Sequence, residues 1–283
     1  MSNFTNKIDF VAFAVVRNAN PNGDPLNGNR PRENYDGYGE ISDVCLKRKI
    51  RNRLQDMGEK IFVQSDERCD DGKNSLSDRA KENKKIAEAM KAKDKELYAK
   101  VACEEWIDVR SFGQVFAFKD AEKSGVSVGV RGPVSIHSAV SLSPIDIHTM
   151  QITKSVNSET KDKKSSDTMG SKHSVSFAVY EIKGSINHQL ATKTGFSDED
   201  AEKMKEAIRT LFENDASSAR PDGSMEIKRL YWFRHNCPNG QYSSAKVHQS
   251  VNIVTNKENP KAFEDYDITL IPLEGLEVEI IED

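Results

Sequence analysis

The spacing of apolar residues predicts a buried strand near the start of the chain and a helix soon after it. Residues 8–17, IDFVAFAVVR, form a short apolar run rich in Val and Phe, which is typical of a buried strand. Residues 42–57 carry apolar side chains at helical spacing, and Ser42 is placed to cap this helix. Its apolar stripe consists of Leu46, Ile50, Leu54 and Met57.

The rest of the chain alternates between strand and helix patterns. Residues 64–107 are charged and helix-prone, which predicts an inserted helical subdomain, and Ser197 caps an amphipathic helix over residues 197–214. Further strands are predicted at 108–118, within 126–140, and at 175–187, 225–234, 246–254 and 267–272. The order strand, helix, two strands, helix, strand predicts an α+β chain with a modified ferredoxin-like, or RRM-like, fold.

A long hairpin is predicted between residues 142 and 177. Its centre, KSVNSETKDKKSSDTMGSK, contains five lysines and few apolar residues, so it cannot form a core. Apolar and polar residues alternate on both sides of this centre, which favours two paired strands with a mobile tip.

Composition narrows the class of protein. The chain has 283 residues, 36% hydrophobic and 30% charged, and no apolar run approaches the roughly 20 residues that span a bilayer. The N-terminus lacks the features of a secretory signal, so we expect a cytoplasmic protein with no membrane partner. The four cysteines are scattered without close pairs, which predicts free thiols and neither a metal site nor a cofactor.

The distribution of charge points to a polyanionic ligand despite a net charge of −4. Residues 257–283 carry −7, which leaves +3 for the rest of the chain. A loop rich in Gly, Pro and Asn, residues 20–41, leads directly into a basic helix. The cations of this helix are Lys47, Arg48, Lys49, Arg51 and Arg53. Because its exposed face holds few acids, we expect it to face nucleic acid, whose binding depends on local potential.

Several long motifs occur in the order of a known family. NPNGDP, RPR, GYGEISDVCLKRKIRNRL, DVRSFGQVFA, VRGPVSIHSAVSLSPIDIHTMQITKSVN and RLYWFRHNCPNGQYSS resemble the backbone subunit of Cascade, the RNA-guided interference complex of type I CRISPR systems. This is the Cas-seven family of the RAMP superfamily, and the type I-C branch is the most similar. The resemblance extends from about Lys7 to Thr255.

The resemblance implies a non-catalytic protein of antiviral defence with a hand-shaped, modified RRM fold. Copies would stack head to tail as a helical filament on the spacer of one CRISPR RNA, beside other Cascade subunits. Each thumb hairpin would displace a nucleotide at regular intervals, and the bases between would pair with the target DNA strand. The implied regions are a palm (1–57, 108–147 and 175–256), fingers (58–107), a thumb (148–174) and an acidic C-terminal strand or tail (257–283).

The resemblance also implies RNA contacts at particular positions. Sequence is read by base pairing, so the protein is expected to hold phosphates and riboses. The implied RNA-binding residues are Asn20, Asn22, Arg30, Arg32, Lys47, Arg48, Arg51, Ser111, Phe112, Gln114, Arg131, Gly132, Met150, Lys154 and Lys172. Met150 is placed to wedge beside the displaced base, whereas Lys154 and Lys172 flank the thumb tip.

Two other functions are compatible with parts of this sequence. The first is a metal-dependent RNA endonuclease using Asp24, because a loop Asp serves target-RNA cleavage in the related type III backbone proteins. The alternative role of Asp24, between Gly23 and Pro25, is that of a turn residue. The second is a general single-strand RNA-binding module, but Phe10 and Phe13 fall on opposite faces of a strand predicted to be core.

Overall fold

The computed structural model describes residues 3–117, 127–153 and 169–282. Within these ranges the helices are α1 (Asp43–Asp56), α2 (Leu76–Glu82), α3 (Lys84–Ala92), α4 (Lys95–Glu105), α5 (Ile107–Phe112), α6 (His188–Thr194), α7 (Asp198–Arg209) and α8 (Ser244–Gln249). The strands are β1 (Ile8–Ala19), β2 (Gly23–Asp24), β3 (Arg30–Pro31), β4 (Tyr38–Ile41), β5 (Gly113–Phe116), β6 (Val128–Arg131), β7 (Val134–Ile136), β8 (Ala139–Pro144), β9 (Ile147–Thr153), β10 (Met169–Ile186), β11 (Met225–Arg234), β12 (Val251–Thr255), β13 (Tyr266–Leu270) and β14 (Glu277–Glu282).

An antiparallel sheet with the order β14-β11-β1-β10-β8-β4 organises the fold, and β7 and β9 also pair with β10. β1 lies inside this sheet, where Ile8 is opposite Ile186 of β10 and Arg234 of β11. The strand predicted at residues 8–17 is therefore confirmed as a buried central strand. The mixed α+β class is confirmed as well.

Both faces of β1 are covered. Phe10 belongs to the core beneath α1 and α7, whereas Phe13 belongs to a second core closed by α8, β12 and β13. The strand predicted at 246–254 is wrong in its first part, because Ser243 caps α8 by accepting the amide hydrogen of Lys246. Since aromatic side chains on both faces are buried, neither face near β1 offers them for base stacking.

The two predicted amphipathic helices are confirmed. Ser42 accepts the amide hydrogen of Cys45 and begins α1. Ser197 and Asp200 form a reciprocal capping box at the start of α7. The apolar stripes of α1 and α7 pack on the same face of the sheet. The polar face of α1 is therefore on the side of the helix that points away from the sheet.

The inserted segment folds as three helices, α2 to α4, around a separate apolar cluster that includes Phe62, Trp106 and Phe116. The strand predicted at 108–118 is wrong for its first five residues, which belong to α5. The buried Asp108 carboxylate accepts the amide hydrogens of Phe62 and Val63, which fixes this turn beside the insertion. Gly113, with φ of +80°, ends the helix and begins β5.

The predicted hairpin is confirmed at its base, where β9 pairs with the first part of β10. β10 has 18 residues and continues from this hairpin into the central sheet, so Val175 is opposite Ile147 and also opposite Ala19 of β1. The predicted tip, including Lys154, lies outside the described residues. No helix in the described ranges is long and apolar enough to cross a membrane.

Candidate nucleic-acid interface

The loop between β1 and α1 is shaped by its own asparagines. Asn20 is 5% exposed and donates to the carbonyl oxygen of Asn29 at 2.6 Å. Asn22 accepts from the amide and hydroxyl of Ser42, at 2.9 and 3.0 Å. Asn20 thus fixes the shape of the loop, and Asn22 holds the loop on the start of α1.

Two arginines of this loop lie nearer the surface. Arg32 is 3.4 Å from the carboxylate of Asp24, and Arg30 is 3.7 Å from that of Glu33. Both arginines are about one-third exposed, so each pair is loose and solvated. Asp24 also accepts the amide hydrogen of Leu26, which is the geometry of a turn residue.

The basic side chains of α1 have partners, contrary to the expectation that few acids offset them. Lys47 pairs with Asp43, Lys49 with Asp215, Arg51 with Asp108 and Arg53 with Glu213. Three of these four acids come from distant segments of the chain, which is why the helix sequence alone did not reveal them. Lys49 faces the interior, and its pair with Asp215 is buried.

Arg48 and Arg51 are held in fixed orientations at the outer side of α1. Arg48 donates to the carbonyl oxygen of Val63 at 2.7 Å, and Arg51 donates to Asp108 at 2.9 Å. Burial, together with the charge of Arg51, lowers the pKa of Arg48. The Arg51 guanidinium lies over the Phe112 ring, 5.0 Å from its centre. Arg48 and Arg51 thus form a preorganised pair of cations beside α5.

The two motif turns predicted to bind RNA cross each other backbone to backbone. A Cβ atom on Gly132 would lie 2.2 Å from the carbonyl oxygen of Ser111, and one on Gly113 would lie 2.3 Å from that of Val130. Ser111 is completely buried. Gly132 and Ser111 therefore serve the close crossing of the turns, and the flanking side chains lie nearer the surface.

Those flanking side chains are Gln114 and Arg131, at the start of β5 and the end of β6. Gln114 is partly exposed, and its amide donates to the carbonyl oxygen of Val115. Arg131 is exposed and makes no ion pair within the described part of the chain. Arg131 is opposite Gly113 in the β5–β6 pair. Gly113 directly follows Phe112, whose ring lies under the Arg51 guanidinium.

The hairpin residues form a separate group. Met150 is directly opposite Lys172, so both side chains lie on one face, and Met150 is 52% exposed. Ile152 is on the same face and is 47% exposed. An apolar face beside a lysine suits contact with a nucleotide. The resemblance implies this role for Met150 and Lys172 and not for Ile152.

Sequence reasoning missed Asp108, which orients Arg51 and closes the insertion onto α1. The signal for this role is that Asp108 lies in the first turn of a short helix that contains Arg110 and ends at a glycine. The strand prediction for this motif conceals that signal. Among the described residues no three His, Cys, Asp or Glu side chains are grouped as metal ligands.

Comparison with known proteins identifies the family. The family model for CRISPR-associated protein Cas7 matches residues 6–271. A CRISPR-associated protein Cas7 from Haloferax volcanii is 25% identical over 240 residues, which cover 80% of this chain and 69% of that relative. A chain of a CRISPR RNA-guided surveillance complex, pre-nicking, aligns with a TM-score of 0.47 at 15% identity, over 80% of this chain and 75% of its own. A chain of another CRISPR RNA-guided surveillance complex has a TM-score of 0.43 at 14% identity, over 86% and 80%. Since the family model spans nearly the whole sequence, this chain belongs to the Cas7 family of CRISPR-associated proteins.

Proposed function

We propose that this chain is the non-catalytic backbone subunit of a type I CRISPR interference complex and binds CRISPR RNA. Membership of the Cas7 family supports the system and the class of subunit. The expected cytoplasmic location and the type I-C branch belong to the same proposal. The branch assignment rests on the sequence motifs.

The observation that carries the proposal is the group of cations where α1, α5 and the β5–β6 pair meet. Arg48 and Arg51 are fixed by Val63 and Asp108, and Arg131 is exposed without an ion pair in the described ranges. Prearranged guanidinium groups bind phosphate oxygens with little loss of side-chain entropy. The Arg51 side chain is only 13% exposed, so it is less accessible to a ligand than Arg131.

The strand order of the main sheet supports the proposal that this sheet and its two helices form the palm. β11, β1, β10 and β7 are adjacent, with α1 and α7 on one face, which is the arrangement of a ferredoxin-like unit. In this proposal α2 to α4 are the fingers and the β9–β10 hairpin is the thumb. The thumb of one copy reaches the next copy along the RNA, and the bases between thumbs pair with target DNA.

The role of Asp24 favours binding over cleavage. Its carboxylate accepts the amide of Leu26 and lies 3.4 Å from Arg32, so it stabilises the turn in which it lies. We therefore keep Asp24 outside the functional residues.

The decisive experiment is purification of the protein after co-expression with a CRISPR array, followed by sequencing of the bound RNA and sizing of the particle. We expect protected, intact RNA of spacer length in an elongated oligomer. RNA cut at regular intervals, and restored to full length by Asp24→Ala, would establish the nuclease instead. A monomer without RNA would contradict both functions.

A further inference from the structure

Gly129 differs from every other glycine in the described part of the chain. Of the 15 described glycines, nine have positive φ, and five others have an atom within 3.4 Å of the position a Cβ would take. Gly129 has ordinary strand geometry, and no described atom lies within 4 Å of that position. Neither backbone conformation nor packing therefore explains glycine in the middle of β6, where a β-branched residue is usually favoured.

The residues beside Gly129 complete one outward face of the β5–β6 pair. Val115 is directly opposite Gly129 and is 63% exposed. Arg131 follows two residues later on the same face and has no ion pair in the described ranges. The other face, with Phe116 and Val128, is buried against the insertion. The outward face thus combines uncovered backbone, an apolar side chain and a cation that no described acid pairs with.

This combination fits a nucleotide strand. A ribose or base can pack on Val115 and on the uncovered backbone at Gly129, while a phosphate pairs with Arg131. The outward face continues into the candidate interface. Gly113 is opposite Arg131, and the residue before it, Phe112, has its ring under the Arg51 guanidinium.

We propose that Val115, Gly129 and Arg131 form a contact surface on which the guide RNA lies, with the missing side chain at Gly129 leaving room for it. This inference rests on the proposed RNA-binding function and extends it to Val115 and Gly129, which are not among the RNA-binding residues that the resemblance implies. A side chain added at position 129 then obstructs the ligand without disturbing the protein.

The first test is a size series at position 129. Gly129→Ala and Gly129→Val are assembled on fluorescein-labelled single-stranded RNA of spacer length, and Kd is measured by anisotropy together with the thermal midpoint. We expect Kd to rise about threefold for Ala and about tenfold or more for Val, with an unchanged or higher thermal midpoint. Wild-type affinity in Gly129→Val overturns the inference.

The second test does not depend on the glycine. Val115→Glu introduces a negative charge on the proposed surface, and Val254→Glu makes the same change at another exposed strand position, 49% exposed in β12. We expect Kd to rise about tenfold for the first variant and less than about twofold for the second. Equal effects would assign the loss to overall charge and overturn the inference.

Two controls separate this inference from the wider proposal. A wild-type protein that binds no RNA overturns both, whereas wild-type binding that survives Gly129→Val overturns only the contact surface. Sedimentation without RNA addresses contact between copies of the chain. If Val115→Glu weakens self-association there and leaves RNA affinity unchanged, the surface is a protein interface and the inference is wrong.

Discussion

The Nε atom of Arg51 donates a hydrogen bond to Oδ2 of Asp108 at 2.9 Å, and the Asp108 side chain is completely buried. The same carboxylate accepts the amide hydrogens of Phe62 at 2.7 Å and Val63 at 3.1 Å. One side chain thus joins α1, the start of the insertion and α5. The orientation of a proposed RNA-binding cation and the attachment of the helical insertion depend on the same group.

Replacement of Asp108 by Asn is expected to destabilise the protein strongly. Asn retains one acceptor oxygen and no charge, which leaves Arg51 or a buried amide hydrogen unsatisfied. The expected loss is about 3 kcal/mol in the free energy of unfolding, measured by urea denaturation. The matched control is Asp198→Asn, because Asp198 is partly exposed and 3.4 Å from Arg234. A loss of less than about 1 kcal/mol is expected there, and equal losses in both variants would contradict the structural role of Asp108.

Two neighbouring glycines are expected to respond in opposite ways to a methyl group. In Gly132→Ala the new Cβ lies 2.2 Å from the carbonyl oxygen of Ser111, so the crossing of the two turns must open. We expect a loss of about 2 kcal/mol or more in unfolding free energy. Gly129→Ala, three residues earlier in the chain, meets no described atom and is expected to be neutral or slightly stabilising. The close crossing would be disproved if both variants melted at the wild-type temperature.

His248 is expected to make stability depend on pH. Burial lowers the pKa of His248, although its hydrogen bond to the carbonyl oxygen of Gly184, at 3.0 Å, acts in the opposite direction. Since its pKa in the unfolded chain is about 6.5, the unfolded chain binds more protons below that pH. The contribution of His248 is therefore fully present above about pH 6.5 and is lost as pH falls through the folded-state pKa.

The corresponding measurement is the free energy of unfolding at several values between pH 7.5 and pH 5. The decline toward acid is expected to be shallower in His248→Gln, whose amide can still donate to Gly184. An unchanged slope in that variant would assign the pH dependence to other groups.

Reversal of charge at Arg131 is expected to weaken RNA binding without affecting the fold. Arg131 is exposed and has no ion pair in the described ranges, so no buried partner is left behind in Arg131→Glu. We expect Kd for single-stranded RNA to rise about tenfold and the salt slope of log Kd to become shallower by about one. Arg131→Lys should retain most of the affinity.

The matched control is Lys246→Glu, on α8 at the far face of the sheet, where Lys246 lies over the Tyr242 ring. It changes the net charge equally and is expected to change Kd much less. The assignment of Arg131 would be untenable if the two variants lost equal affinity.

Local patterns predicted the elements whose structure is determined by nearby residues. The stripe of α1, the capping box at Ser197 and the alternation around the polar hairpin were sufficient to locate α1, α7 and the β9–β10 pair. The sequence predicts strands at 108–112 and 246–249, where the structure has helical turns. These turns depend on the contact of Asp108 with the insertion and on the cap at Ser243, which the strand pattern does not reveal.

The candidate site was less predictable than the fold for the same physical reason. Lys49 and Asp215 are far apart along the chain, so the sequence of the basic helix does not reveal their buried ion pair. The resemblance implies that Asn20 and Asn22 contact RNA. In the structure the Asn20 amide donates to Asn29 and the Asn22 oxygen accepts from Ser42, two contacts that the motif does not indicate. Within the described residues, Arg131 has no such ion-pair partner.

Because β10 is one continuous strand, the hairpin is a direct extension of the central sheet. A strand of 18 residues extends about 60 Å, and Val175 marks the point where it passes from pairing with β9 to pairing with β1. No hinge loop separates the hairpin residues Lys172 and Met150 from the sheet. β10 continues from the hairpin and is paired with neighbouring strands as far as Ile186. A force on the hairpin is therefore expected to reach the centre of the sheet through β10, with no intervening loop.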